Sequence, residues 1–194
     1  LGKTGASISE VGLGTWQLGN ADWGQIEEAD ALRILHRCVE LGVTFFDTAD
    51  VYGMGVSERT IGKFLKETKE KVYVATKVGR KLWVDLGSKW PERITLEMAR
   101  QATELSLQNL GVEAIFLQQW HCLPTEEYRR GEVFEHLETL QREGLIQHWG
   151  CSVESVEEAL LCMAHSGCAA LQVIYNIFRQ KLTDELLPKA KQND

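Results

Sequence analysis

The chain has 194 residues, 44% hydrophobic and 25% charged, with a formal net charge of −7, which is the profile of one globular domain spanning residues 1–194. The acidic balance leaves nucleic acid no electrostatic footprint. No apolar run approaches the roughly 20 residues that cross a bilayer, and no signal-peptide pattern opens the sequence. Five cysteines, Cys38, Cys122, Cys151, Cys162 and Cys168, are scattered without a CxxC pair. That argues against zinc ribbons and thioredoxin chemistry and for a reduced, cytoplasmic setting.

In chain order, GLGTW (12–16) reads as a first strand. Ala31, Leu32, Leu35, Cys38 and Val39 recur at three- and four-residue steps and meet Gly42, a helix stop. VTFFDTA (43–49) is short, β-branched and aromatic, a buried strand. Ile61, Phe64 and Leu65 mark a second helix and KVYVATKVG (71–79) the next strand. RKLWVDLGSKWPER (80–93) reads as a long loop. Met98, Ala102 and Leu105 mark a helix closed by Gly111, followed by the strand AIFLQQW (114–120). Val133, Phe134, Leu137 and Leu140 mark another helix, closed by Gly144, before LIQHWGCS (145–152). Ser155 and Glu158 form a capping box ahead of a fifth helix. LQVIYNI (171–177) is the last strand, and a polar helix follows from Thr183.

Strands alternating with helices at roughly 30-residue intervals are βαβ units, which build a parallel sheet covered by helices. Two architectures fit: a doubly wound open sheet, or a (β/α)8 TIM barrel present in about six of its eight units. The glycines of GLGTWQLG, at 12, 14 and 19, have the wrong spacing for a GxGxxG dinucleotide fingerprint, and no P-loop is present. The candidate chemical residues favour the barrel. Asp47 and Tyr52, then Lys77, then His121, then Ser152 fall at or just past the ends of successive strands, as in a site built around one barrel mouth.

Those side chains suit carbonyl chemistry. A tyrosine phenol is a poor acid at neutral pH, and an adjacent ammonium favours its ionised form. Asp47 would hold Lys77 charged, Lys77 would lower the pKa of Tyr52, and His121 would orient a substrate oxygen. Tyr52 then serves as a general acid, while hydride must come from a cofactor.

The segments LGKTGASISEVGLGTWQLG (1–19), FFDTADVYGMGVSE (45–58), VATKVG (74–79), SLQNLGVEAIFLQQWHCLP (106–124), WGCSVES (149–155) and LQVIYNIFRQ (171–180) resemble those of aldo-keto reductases, in the same order. The resemblance implies a (β/α)8 barrel that binds NADPH across its mouth and reduces a small-molecule aldehyde or ketone. It makes Tyr52 the proton donor, Lys77 and Asp47 its tuning pair and His121 the substrate-orienting residue. It also places Gly14, Thr15 and Trp16 near the nicotinamide or the substrate, and Ser152 and Gln172, with Asn176 nearby, at the carboxamide. Residues 1–10 would form a hairpin plugging the barrel bottom. Phe116 stands where many members carry an acid, and Trp83 and Trp90 of the 80–93 loop are candidates to wall the substrate pocket. The family's phosphate-binding segments follow the seventh and eighth strands and have no counterpart here, so the 194 residues read as the N-terminal two-thirds of a barrel that by itself binds NADPH poorly. Two other readings stand beside the enzyme: a cofactor-sensing regulatory subunit of the same fold, and an inactive fragment.

Overall fold

The computed structural model describes residues 1–19 and 24–193. Six strands, β1 (Leu13–Gly14), β2 (Phe45–Asp47), β3 (Tyr73–Val78), β4 (Ile115–His121), β5 (Ile146–Val153) and β6 (Cys168–Val173), form one parallel sheet in chain order. It curls into part of a (β/α)8 barrel. Each consecutive pair is joined through helix: α1 (Glu28–Glu40), α2 (Val56–Glu67), α3 (Arg80–Asp85) and α4 (Leu96–Leu110), α5 (Thr125–Arg130) and α6 (Glu132–Arg142), and α7 (Val156–Met163); α8 (Leu186–Asn193) follows β6. Parallel neighbours need such crossovers, because a tight turn can join only antiparallel strands.

The helix starts and stops follow local chemistry. The Thr95 hydroxyl accepts a hydrogen bond from the Met98 amide at the head of α4, and Gly111 closes that helix in the left-handed conformation. Ser155 and Glu158 complete the expected reciprocal capping box at the head of α7. The core lies between strands and helices. Trp120, Phe134, Leu137, Leu140 and Trp149 are wholly or almost wholly buried there, and the Trp120 indole donates to the Val133 carbonyl at 2.8 Å, so its one polar atom is satisfied. Phe116 packs its ring against Tyr73 and His148, with centroids 4.6 and 5.3 Å away, at the far end of β4 from His121.

The structure corrects the sequence reading in several places. Residues 1–10 make no hairpin: Gly2–Thr4 is a 3-10 turn. The Ser9 amide donates to the Thr44 hydroxyl and the Thr44 amide to the Ser9 hydroxyl, both at 2.9 Å, so side chains take the groups a strand ladder would use. The segment 80–93 contains α3. The last strand begins at Cys168 and ends at Val173, which leaves Asn176 beyond it. Among the described residues no helix is long and apolar enough to cross a membrane.

One buried acid ties the loops after β2 and β3 together. The Asp50 amide donates to the Lys77 carbonyl at 3.0 Å. Its Oδ2 accepts from the Gly79 amide at 3.3 Å, and Oδ1 has no partner. Burial, followed by the nearby Glu58 carboxylate, pushes the Asp50 pKa up from 3.8 to about 8. A carboxyl whose folded pKa is raised contributes stability in full below its unfolded pKa and loses it as pH rises through the folded one. Stability should therefore carry a component that falls between pH 3.8 and about 8, with a slope of at most roughly 1.4 kcal/mol per pH unit. Asp50→Asn should flatten that component in urea unfolding curves taken across the range; an identical pH profile in the two proteins would remove Asp50 as its source.

Candidate active site

Lys77 is the centre of the concave face. It is 1% exposed, and all three of its N–H donors have partners: Asp47 Oδ2 at 2.8 Å, the Thr48 carbonyl at 2.8 Å and the Tyr52 hydroxyl at 3.2 Å. Asp47 ends β2, Lys77 sits near the end of β3, and the β2–β3 register pairs Asp47 with Ala75, two residues before the lysine. Period-2 alternation thus puts Lys77 on the concave face, while the intervening Thr76 turns to the helices and donates to Glu58 at 2.6 Å.

Tyr52 is set by backbone contact as well as by Lys77. Gly53 adopts φ +59°, and a Cβ there would stand 1.8 Å from the Gly19 carbonyl oxygen. The turn Trp16–Gly19 and the loop after β2 touch main chain to main chain as a result. This brings the Trp16 ring onto Tyr52, with centroids 5.9 Å apart and planes 19° from parallel. Thr15 is fully buried; its hydroxyl donates to the Asp47 carbonyl at 2.8 Å and accepts from Ser57 at 2.8 Å. It braces the loop that carries the aspartate and presents nothing to the cleft. Gly14, next to it, is exposed.

His121 ends β4 with its ring 5.9 Å from that of Tyr52 in an edge-on arrangement. Its Nδ1 is buried without a partner. Burial, then the charges of Lys77 and Arg80, push its pKa down to about 3. The Tyr52 phenol moves the other way: burial raises its pKa, and Lys77 opposes the rise without overcoming it. The adjacent ammonium alone predicts a net lowering; desolvation is the larger effect and reverses it.

Tyr52 and His121 share a cleft of about 280 Å³ with Trp16, Val51, Arg80, Val84, Cys122 and Glu154. The 80–93 segment contributes Arg80 and Val84, not its tryptophans. Trp83 lies beneath the Arg80 guanidinium at 4.6 Å, and Trp90 packs against the core. Arg80 and Glu154 were missed in the sequence, although each falls within three residues of a residue singled out there, Lys77 and Ser152.

At the other side of the mouth, Ser152 on β5 is in register with Gln172 on β6. Gln172 Oε1 is buried without a partner, and the Ser152 hydroxyl has only the Cys122 thiol at 3.9 Å. An unpartnered amide acceptor beside a hydroxyl held only by a weak thiol contact suits a carboxamide, so these two residues fit the nicotinamide end of a cofactor. Asn176 does not join them: its Oδ1 accepts from the Phe178 and Arg179 amides, at 2.9 and 3.2 Å, within its own turn.

Comparison with known proteins places the chain in a family. Residues 10–194 match the model of the aldo/keto reductase family, and the chain belongs to that family. It is 31% identical to the aldo-keto reductase YhdN of Bacillus subtilis, across 100% of this chain and 58% of that protein. It is 29% identical to an NADH-specific methylglyoxal reductase of Escherichia coli, across 100% of this chain and 63% of that one. An aldo-keto reductase from Klebsiella pneumoniae, solved in complex with NADPH, superposes with a TM-score of 0.77 at 25% identity, over 97% of this chain and 62% of its own. The chain therefore spans about three-fifths of the length of these relatives.

Because its pKa is near 3, the His121 ring should stay neutral from about pH 8 down to about pH 5, where an ordinary histidine becomes charged. Its ¹⁵N NMR shifts should not move across that interval. A titration near the usual histidine value would show that the ring is not desolvated.

Proposed function

We propose that this chain carries the catalytic centre of a nicotinamide-dependent carbonyl reductase in which Tyr52 delivers the proton. The observation that supports it is the direction of one hydrogen bond. Lys77 donates to the Tyr52 oxygen, so the phenol keeps its own hydrogen for an acceptor in the cleft. Burial holds that hydrogen in place at neutral pH, and Lys77, fixed by Asp47, stabilises the phenolate left behind when it transfers.

His121, held neutral, is a second hydrogen-bond group beside the same cleft, able to position a substrate oxygen next to Tyr52 without adding charge. The Trp16 ring forms one wall, while Ser152 and Gln172 take a carboxamide at the opposite side. The bound cofactor supplies the hydride. Proton delivery at oxygen and hydride delivery at carbon together convert an aldehyde or ketone to an alcohol. NADPH is the donor we propose, by likeness to the Klebsiella pneumoniae complex; the Escherichia coli relative described as NADH-specific makes a side-by-side assay with both dinucleotides part of the test.

Tyr52→Phe removes the transferable hydrogen and little else. In a form of the protein with the complete barrel, it should lower aldehyde reduction by at least about 100-fold, the usual scale of a lost general acid, with nicotinamide binding nearly intact by fluorescence titration. Equal reduction rates for the two proteins would take Tyr52 out of this role.

A further inference from the structure

The cleft holds one cation, Arg80, that forms no ion pair among the described residues. Arg80 opens α3, directly after Gly79, whose amide is fixed by the buried Asp50. It lines the same cleft as Tyr52 and His121. Its guanidinium rests on the Trp83 face at 4.6 Å, and no carboxylate among the described residues pairs with it. Arg100 and Arg130, by contrast, are matched with Glu143 and Glu127, while Arg59 and Arg142 bond only neutral groups and lie outside the cleft.

We infer that the cleft selects carbonyl compounds bearing an anionic group, such as oxo acids, with Arg80 as the residue that takes that group. The inference rests on the carbonyl-reductase reading of the site and adds its substrate class. The Trp83 ring takes up none of the guanidinium N–H donors in a hydrogen bond to oxygen, and a guanidinium matches a carboxylate in a forked pair. Contact with Trp83 restricts the side chain before binding, which lowers the entropy lost on binding. Glu154, from the loop after β5, lines the same cleft and forms no ion pair with Arg80. Its charge disfavours an anion on its own side, so the charged end of a substrate is directed toward α3 while its carbonyl reaches Tyr52 and His121.

The test compares 4-oxobutanoate with butanal, which differ in a carboxylate on a flexible chain, and reads binding separately from turnover. In calorimetric titrations the wild-type protein should bind 4-oxobutanoate at least about tenfold more tightly than butanal. Arg80→Gln should abolish that preference, and Arg80→Lys should keep part of it, retaining charge without the fork. Equal binding of the two aldehydes by the wild-type protein, no measurable binding of 4-oxobutanoate, or an undiminished preference in Arg80→Gln would each overturn the inference. In parallel turnover assays Arg80→Gln should raise the KM for 4-oxobutanoate about tenfold more than that for butanal. Absence of turnover with both aldehydes, with the binding preference intact, would instead overturn carbonyl reduction and leave the anion site standing.

Discussion

A lysine ammonium buried at the centre of a half-barrel is the constraint on which the other features depend. Removing an ammonium from water costs several kcal/mol unless its charge and all its donors are met. Here each donor has an acceptor, and every acceptor, Asp47, Thr48 and Tyr52, comes from the end of β2 or the loop that follows. The β2–β3 register, the Thr15 and Ser57 hydroxyls behind Asp47, and the close approach of Gly53 to Gly19 all serve that one coordination. A hydrophobic residue would fill the same space at lower cost to folding, so the arrangement fits the proposed chemistry at Tyr52 better than a role in stability.

The same burial acts in opposite directions on the neighbouring groups. It lowers the pKa of His121 and raises that of Tyr52 because each group is pushed toward its uncharged form. The result is a cleft with two neutral hydrogen-bonding groups on one wall and a permanent positive charge behind one of them. Such a surface accepts a polarised oxygen in its ground state and gains most when that oxygen becomes negative. Arg80, set apart on α3, adds a positive charge to the same cleft, where the proposed substrate anion would meet it away from Tyr52.

The strand–helix alternation, the strand ends that carry Asp47, Tyr52, Lys77 and His121, and the capping box at Ser155 were legible because periodicity and spacing encode them locally. What was not legible depends on partners far apart in sequence. Ser9 and Thr44 exchange hydrogen bonds across 35 positions, and residues 1–10 form no hairpin. Thr15 turns inward to Asp47 and Ser57, and Asn176 is consumed by its own turn past the end of β6. Asp50 resembles an ordinary turn aspartate until its burial beside Glu58 is seen. The net direction of the Tyr52 shift could not be read either, since charge is written in the sequence and desolvation is not.

The electrostatic link from Lys77 to Tyr52 is the centre of the proposed chemistry. Its most direct test is the ultraviolet difference titration of tyrosine ionisation in the wild-type chain and in Lys77→Met, with Tyr52→Phe subtracted to isolate one of the four tyrosines. Loss of the ammonium removes what opposes burial and leaves Asp47 uncompensated. Ionisation of Tyr52 should then move to higher pH. A Tyr52 titration that stays in place, or moves to lower pH, would contradict the account.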